Sequence, residues 1–288
     1  MDFLRGILLI PLILVNVGIG VTNQLDSGFY LHAKPPVTTE NNNGMRLTEG
    51  GQVGPWVLRI MDGNEFACGA AYFSALYALT SANCMHSHRS KLKALSVEFL
   101  DSKQNYREDS FALIHTVFVP KEWRFPETLM DVAVVKLSNR LRGNFHKFVK
   151  LWSKPLSTNN SISVVACESA ENVRIEGLTM LNRMDCESQY GSLILDQTLV
   201  CAKQFKRTSA CMFSPGCPVT SGDQLCGIVA WGPACKKPGM PGIFTDIHQV
   251  SRFIHRAISG KGRSTAHRKS KLDSDIVPEW HAGFLLSR

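Results

Sequence analysis

Two side chains that could attack a carbonyl, Ser214 and Cys217, stand close together in the stretch Cys211–Val219. A hydroxyl or thiol becomes an effective nucleophile when a neighbouring base removes its proton. The candidate bases His86 and His88 lie in a distant part of the chain, and nothing in the sequence orients either ring toward that stretch. A hydrolase that uses Ser214 or Cys217 is therefore kept as an alternative function.

Short apolar runs separated by turn residues make up most of the chain after Pro55, a pattern typical of antiparallel β-structure. The predicted strands form two groups, one before and one after Lys150, which indicates two packed β-barrels. The strands are expected within Trp56–Ile60, Phe66–Thr80, Leu95–Leu100, Phe111–Val119, Asp131–Leu137, Ile162–Cys167, Val173–Leu181, Leu199–Cys201, Leu225–Trp231 and Gly242–Ile247.

A helix is predicted to follow the last strand. Ile247, Val250, Ile254 and Ile258 fall on one helical face, and Asp246 stands where an N-cap residue is needed. From 260 to 288 the chain becomes a basic tail, which we expect to be solvated. The basic residues before its first acid are Lys261, Arg263, Arg268, Lys269 and Lys271.

The amino terminus is almost wholly apolar, and residues 1–20 are predicted to be a cleaved signal peptide. Pro11 and Asn16 interrupt a run that is already short for a membrane span, so no span is expected after cleavage. Residues 21–50 are polar and are expected to form a flexible lead-in to a folded domain over 51–259. These features predict a secreted, extracellular protein.

The chain has 288 residues and a formal net charge of +8, but only 19% of its residues are charged. Zinc-finger spacing, a P-loop and a dinucleotide fingerprint are all missing from the sequence, so we expect no metal, no cofactor and no nucleic-acid partner. The basic bias favours anionic partners outside the cell.

In an oxidising compartment the nine cysteines should be mostly paired, with one left over. Asn159 begins the sequon Asn159-Asn160-Ser161, which predicts glycosylation.

Five segments, in order along residues 53–259, resemble the chymotrypsin- and trypsin-like serine proteases. They are Thr80-Ser81-Ala82-Asn83-Cys84, Asp131–Leu137, Cys211–Val219, Leu225–Gly232 and Pro241–Thr245. Their family counterparts are, in order, Thr-Ala-Ala-His-Cys, Asp-Ile-Ala-Leu-Leu, Cys followed by Gly-Asp-Ser-Gly-Gly-Pro, the substrate-backbone strand and the segment behind the specificity pocket. The resemblance implies an all-β fold of two packed six-stranded antiparallel β-barrels with a C-terminal α-helix.

The resemblance also implies that the catalytic groups are missing. Asn83 stands at the histidine position, Asp131 at the aspartate and Pro215 at the serine. Pro215 has no hydroxyl and no backbone N–H, so the nucleophile and one oxyanion-hole donor are lost, and Asn83 cannot act as a base near neutrality. Ser214 replaces the aspartate that pairs with a new N-terminus on activation. Asp131 is then expected to be structural, accepting a hydrogen bond from the side-chain amide of Asn83.

Carried over from the family, four disulfides are implied, and Cys217 is left without a partner. The implied pairs are Cys68–Cys84, Cys186–Cys201, Cys211–Cys235 and Cys167–Cys226. Two fates remain open for Cys217: a buried free thiol, or a mixed or intermolecular disulfide such as one that links a dimer.

Ser209, Gly232 and Gly242 stand where the family lines its specificity pocket, and a serine at its base resembles members that prefer large apolar side chains. Two interpretations follow: a peptide-binding cleft without cleavage, or a cleft narrowed by Phe213 and Pro215. We predict a secreted pseudoprotease that acts by binding, as a regulatory cofactor, decoy or carrier. Its expected partner is an extracellular protein or peptide, such as an active protease or its inhibitor. A structural protein that assembles through Cys217 is a further alternative.

Overall fold

Short strands that turn alternate side chains toward a common interior build this fold. The computed structural model describes residues 54–100, 111–125, 129–142, 148–169, 174–190, 197–204, 213–230, 240–259 and, for the backbone only, 280–281. All of them belong to one unit that spans Thr38–Arg288.

The first barrel closes because its fifth strand hydrogen-bonds to both the fourth and the sixth. Its strands are β1 Val57–Asp62, β2 Glu65–Ser74, β3 Tyr77–Thr80, β4 Leu95–Phe99, β5 Phe111–Phe118 and β6 Ala133–Leu137. Along β5 the alternation is clear, since Ala112 and Ile114 are buried while Phe111 and Leu113 are exposed.

The second barrel follows a two-residue strand, β7 (Lys150–Leu151), and closes where its fourth strand pairs with its first and its fifth. Its strands are β8 Ile162–Ala166, β9 Arg174–Met180, β10 Leu199–Gln204, β11 Pro218–Ser221, β12 Gln224–Val229 and β13 Gly242–Asp246. β7 runs parallel to β12, and a late strand, β14 (Trp280–His281), adds to β5. The two six-stranded antiparallel barrels predicted from the sequence are therefore confirmed. The sequence analysis missed β7, β11 and β14, which are all shorter than five residues.

Three α-helices lie among the described residues: α1 (Ala82–Ser87), α2 (Arg183–Tyr190) and α3 (Ile247–Ser259), with a short 3-10 helix at Arg89–Lys91. None of them is long and apolar enough to cross a bilayer. α3 is the predicted C-terminal helix. Its N-terminus is capped by Asp246, whose carboxylate accepts a hydrogen bond of 2.9 Å from the backbone N–H of His248. The Asp246 side chain is 2% exposed, and this burial raises its pKa.

One connected cluster of buried side chains runs through both barrels and beneath α3. Val250, Phe253, Ile254 and Ala257 face this core from α3. Because these apolar residues fix the rotation of α3, its polar residues are fixed outward as well.

Candidate functional site

Asn83 lies in the first turn of α1, and two neighbours hold that turn in place. The hydroxyl of Ser81 caps the helix by accepting from the backbone N–H of Cys84 at 3.1 Å. Cys84 forms a disulfide with Cys68 of β2, as the sequence analysis expected. The oxygen of the Asn83 side chain accepts a hydrogen bond of 3.1 Å from the indole N–H of Trp123. Asn83 is fully buried, so this amide has a defined orientation.

Asp131 is also fully buried, and its carboxylate accepts hydrogen bonds from the Ser81 hydroxyl and from the backbone of Asn83. The Ser81 hydroxyl lies 2.9 and 3.0 Å from the two carboxylate oxygens, and the backbone N–H of Asn83 donates at 2.8 Å. Donors of this kind offset the cost of burying a carboxylate. Donation from the Asn83 side-chain amide to Asp131 stays a prediction.

Ser81 is the functional residue that the sequence analysis missed. Its hydroxyl bridges the two parts of the site, since it donates to Asp131 and accepts from the start of α1. The signal was present, because Ser81 stands where the Thr-Ala-Ala-His-Cys segment has alanine. A serine at this position supplies a donor to Asp131 in a site where the family resemblance assigns Asn83 to the histidine position.

Pro215 is the second residue of a tight turn, Ser214-Pro215-Gly216-Cys217. The backbone N–H of Cys217 donates to the carbonyl of Ser214 at 3.1 Å, and Gly216 has a φ of +87°. Proline followed by a residue with positive φ is the signature of a type II turn. A Cβ on Gly216 would meet the carbonyl oxygen of Gly69 at 2.1 Å, so glycine is required there. The Pro215 carbonyl in turn accepts from the backbone N–H of Gly69 at 3.0 Å.

Phe213 turns its ring inward, next to this turn. The side chain is 7% exposed, and its ring centroid lies 6.3 Å from that of Phe244. A Cβ placed on Gly242 would come within 2.4 Å of Cδ1 of the Phe213 ring, so the ring lies directly on Gly242. Of the three residues expected to line the specificity pocket, Gly242 is described, whereas Ser209 and Gly232 lie outside the described residues.

The cysteine pairing differs from the prediction at one bridge. Cys167 pairs with Cys217, with a Cα–Cα distance of 5.7 Å, and not with Cys226. The strand register explains the choice: Val219 of β11 stands opposite Val164 of β8, which brings Cys217 beside Cys167. The prediction that Cys217 is left without a partner is therefore wrong. The hypotheses of a free Cys217 thiol, a Cys217-linked dimer and a Cys217 nucleophile are wrong for the same reason.

Cys226 is the unbridged cysteine among the described residues, and it is buried. Its thiol donates to the carbonyl of Val219 at 3.4 Å, and burial, with a smaller contribution from Asp246, raises its pKa far above the usual range. A thiol in this state does not act as a nucleophile. The expected Cys186–Cys201 disulfide is present, and the expected Cys211–Cys235 pair lies outside the described residues.

Comparison with known proteins agrees with the two-barrel fold described above. A model of the trypsin family, described as "Trypsin", matches residues 42–254. The chain belongs to the trypsin family. The relative "Seminase" of Drosophila melanogaster is 25% identical over 236 residues, which cover 78% of this chain and 84% of the relative. "Trypsin" of Sarcophaga bullata is 29% identical over 203 residues, covering 66% of this chain and 78% of the relative.

Solved structures share the trypsin-like fold with this chain. The crystal structure of the scabies mite inactivated protease paralogue S-I1 superposes with a TM-score of 0.59 at 23% identity, covering 71% of this chain and 95% of that one. At this level of identity the likeness shows the fold alone.

The other candidate nucleophile of this trypsin-family chain, Ser214, has a carboxylate as its partner. Its hydroxyl donates to Glu168 at 3.0 Å, in an exposed position. The histidines considered as bases are engaged elsewhere: Nδ1 of His88 lies 3.0 Å from the carbonyl of Cys84, and Nε2 of His86 lies 2.7 Å from Arg89. Burial, and secondarily Arg89, lowers the pKa of His86.

One group of side chains has the spacing of metal ligands. Cys68, Cys84 and His88 offer atoms within 4.8 Å of one another, the one such metal-ligand group among the described residues. Both sulfurs are in a disulfide, so neither supplies the thiolate that a metal site would need.

Asn159 is exposed in a turn that the side chain of Asn160 closes by accepting a hydrogen bond of 2.8 Å from the backbone N–H of Ser157. Its glycosylation stays a prediction.

Proposed function

We propose that this chain is a secreted, non-catalytic member of the trypsin family that acts by binding an extracellular protein or peptide. The proposal is carried by Pro215, the second residue of the Ser214–Cys217 turn, which the family resemblance assigns to the position of the nucleophile. Proline has neither a hydroxyl to attack a carbonyl nor a backbone N–H to stabilise an oxyanion.

The residue at the family's histidine position, Asn83, also supports a non-catalytic protein. Asn83 has no group that titrates near neutrality, and its side-chain oxygen is already bonded to Trp123. Asp131 is engaged by the Ser81 hydroxyl and the Asn83 backbone, which accounts for its burial without a catalytic role. Nucleophile and base are therefore both missing.

The Phe213 ring argues against a protease-like specificity pocket that takes up a substrate side chain. Because it lies on Gly242, a substrate side chain cannot occupy the same space. Recognition then depends on the surface beside α1, the helix that carries Asn83, where Phe125 is 47% exposed and its ring stacks on that of His86 with centroids 4.5 Å apart. An exposed aromatic residue is a common anchor for a protein or peptide partner. A regulatory cofactor, a decoy and a carrier would all use such a surface, and the partner could be an active protease or its inhibitor.

The purified full-length chain is expected to hydrolyse no peptide in a fluorogenic substrate library, because nucleophile, base and oxyanion donor are absent together. Labelling by a fluorophosphonate probe is expected to be equally absent. The alternative, a hydrolase that uses Ser214, is accepted in place of our proposal if turnover persists in Pro215→Gly and disappears in Ser214→Ala.

Restoring the two family residues is not expected to create a protease. The double variant Asn83→His with Pro215→Ser should show no detectable kcat/KM in the same assay, because Phe213 still covers Gly242 and Ser214 still replaces the activating aspartate. A protease-like rate in this variant would contradict our account of the blocked pocket and the missing activation step.

Binding is tested separately, by affinity capture from the native extracellular fluid with and without reductant, using Phe125→Asp as the matched control. Loss of the captured protein in that variant supports the surface around Phe125 as the binding site.

A further inference from the structure

The last described strand, β14, belongs to the segment 260–288 that is expected from the sequence to be a solvated tail. Its backbone pairs antiparallel with β5 of the first barrel, with Trp280 opposite Val117 and His281 opposite Thr116. The same two residues of β5 pair with β6 on their other edge. β14 therefore lies on the edge along which β4 pairs nearer the start of β5. The tail returns to the first barrel at this point rather than remaining free along its whole length.

The outer face of β5 carries two exposed apolar side chains just beyond this pairing. Phe111 is 40% exposed and Leu113 is 43% exposed, and they point to the same side of the sheet because they are two residues apart. Both edges of this part of β5 are occupied, by β4 on one side and by hydrogen bonds between Ser138 and the backbone of Leu113 on the other. A further segment can therefore contact β5 here only from outside the barrel, through these side chains.

The chain that follows β14 has the composition and the direction to make that contact. Residues 282–288 read Ala-Gly-Phe-Leu-Leu-Ser-Arg, with three large apolar residues in a row. Because β14 runs antiparallel to β5, the chain after it heads toward the start of β5. Continuing the register of β14 brings Phe284 level with Leu113 and Leu286 level with Phe111.

We propose that residues 282–288 leave the plane of the sheet after β14 and dock on the outer face of β5, covering Phe111 and Leu113. Removing apolar surface of both segments from water favours this contact. Since β14 holds the segment beside this face, docking within one chain is favoured over docking of a second copy. The C-terminus is then a structural part of the first barrel. The proposal does not depend on the function proposed above.

The alternation of an extended chain decides which tail residues touch β5. Residues two apart lie on one face, so Phe284 and Leu286 point toward β5 while Leu285 points to solvent. Gly283 gives the backbone the freedom to change direction just before these residues. Leu285 is therefore a matched control for Leu286, with the same side chain one position away.

Photochemical cross-linking of the full-length chain tests the contact directly. With p-benzoylphenylalanine in place of Phe284, irradiation is expected to link residue 284 to the peptide that contains Phe111 and Leu113. The same probe in place of Leu285 should give at least about threefold less of this product, because it points away from β5. A mixture of chains with and without 15N labelling separates links within one chain from links between two chains. Links between two chains, or no link from residue 284 to β5, would show that the tail does not occupy this face and would overturn the proposal.

Amide hydrogen exchange of the full-length chain tests the same contact without a probe. Leu286→Asp is expected to speed exchange at Trp280 and His281 by about tenfold, because a strand of two residues depends on the packing next to it. Leu285→Asp should change these rates by less than about threefold. Equal rates in the two variants would contradict the proposed alternation and the docking with it. Unchanged circular dichroism and thermal midpoint in each variant show that the barrels remain folded.

Discussion

Replacing Cys167 and Cys217 together by alanine is expected to lower the free energy of unfolding by about 4 kcal/mol, because their disulfide closes a loop of 50 residues. Both cysteines must be changed at once, since a lone Cys167 could pair with Cys226. The measurement is urea denaturation of the oxidised protein, followed by fluorescence. A stability loss of this size would leave many single domains only marginally folded at 37 °C.

The matched control is Cys226→Ala, which removes a buried thiol that forms no bridge. Its expected cost is about 1 kcal/mol, since cysteine in a core behaves as a small apolar side chain. Peptide mapping without reduction provides an independent check and should recover Cys167 linked to Cys217, and Cys226 alkylated only after denaturation. A large loss in Cys226→Ala, together with a Cys167–Cys226 peptide, would restore the family's pairing and overturn the assignment.

Ser81→Ala is expected to be the second most damaging of these changes, lowering the free energy of unfolding by about 3 kcal/mol. It removes a hydrogen bond to the buried Asp131 carboxylate, of a type worth about 1.5–3 kcal/mol, and the cap of α1, worth about 1 kcal/mol. Equilibrium urea denaturation measures the loss. Ser81→Thr keeps the hydroxyl and should recover most of the stability.

Ser87→Ala is the control for this substitution, because Ser87 lies in the same helix and, within the described part of the chain, its hydroxyl donates only to the carbonyl of Asn83 four residues earlier. Bonds of that kind contribute little, so the expected change is within about 0.5 kcal/mol. A double variant, Ser81→Ala with Asp131→Asn, should lose less than the sum of the single changes, since a neutral amide does not leave a charge buried. Additive losses would mean that Ser81 and Asp131 do not act together.

The overall fold of this protein could be predicted from its sequence, because the patterns that specify it are local. Alternating apolar residues, as in Leu95–Phe99, specify a half-buried strand wherever they occur, and the spacing of Ile247, Val250 and Ile254 specifies the buried face of α3. The hypothesis that the catalytic groups are missing rests on the sequence, since Pro215 lacks a hydroxyl and an N–H in any conformation. Resemblance to a known family supplied the positions at which those absences matter.

Three features were decided only by the tertiary structure, because each depends on contacts between residues distant in the chain. The register of β11 against β8 selects Cys217 over Cys226 as the partner of Cys167, and no spacing along the sequence encodes that choice. The inward direction of the Phe213 ring depends on the bare surface of Gly242, which belongs to the distant strand β13. Ser81 reaches Asp131 across 50 positions of sequence, so its role becomes visible only when β3 and the start of β6 lie side by side.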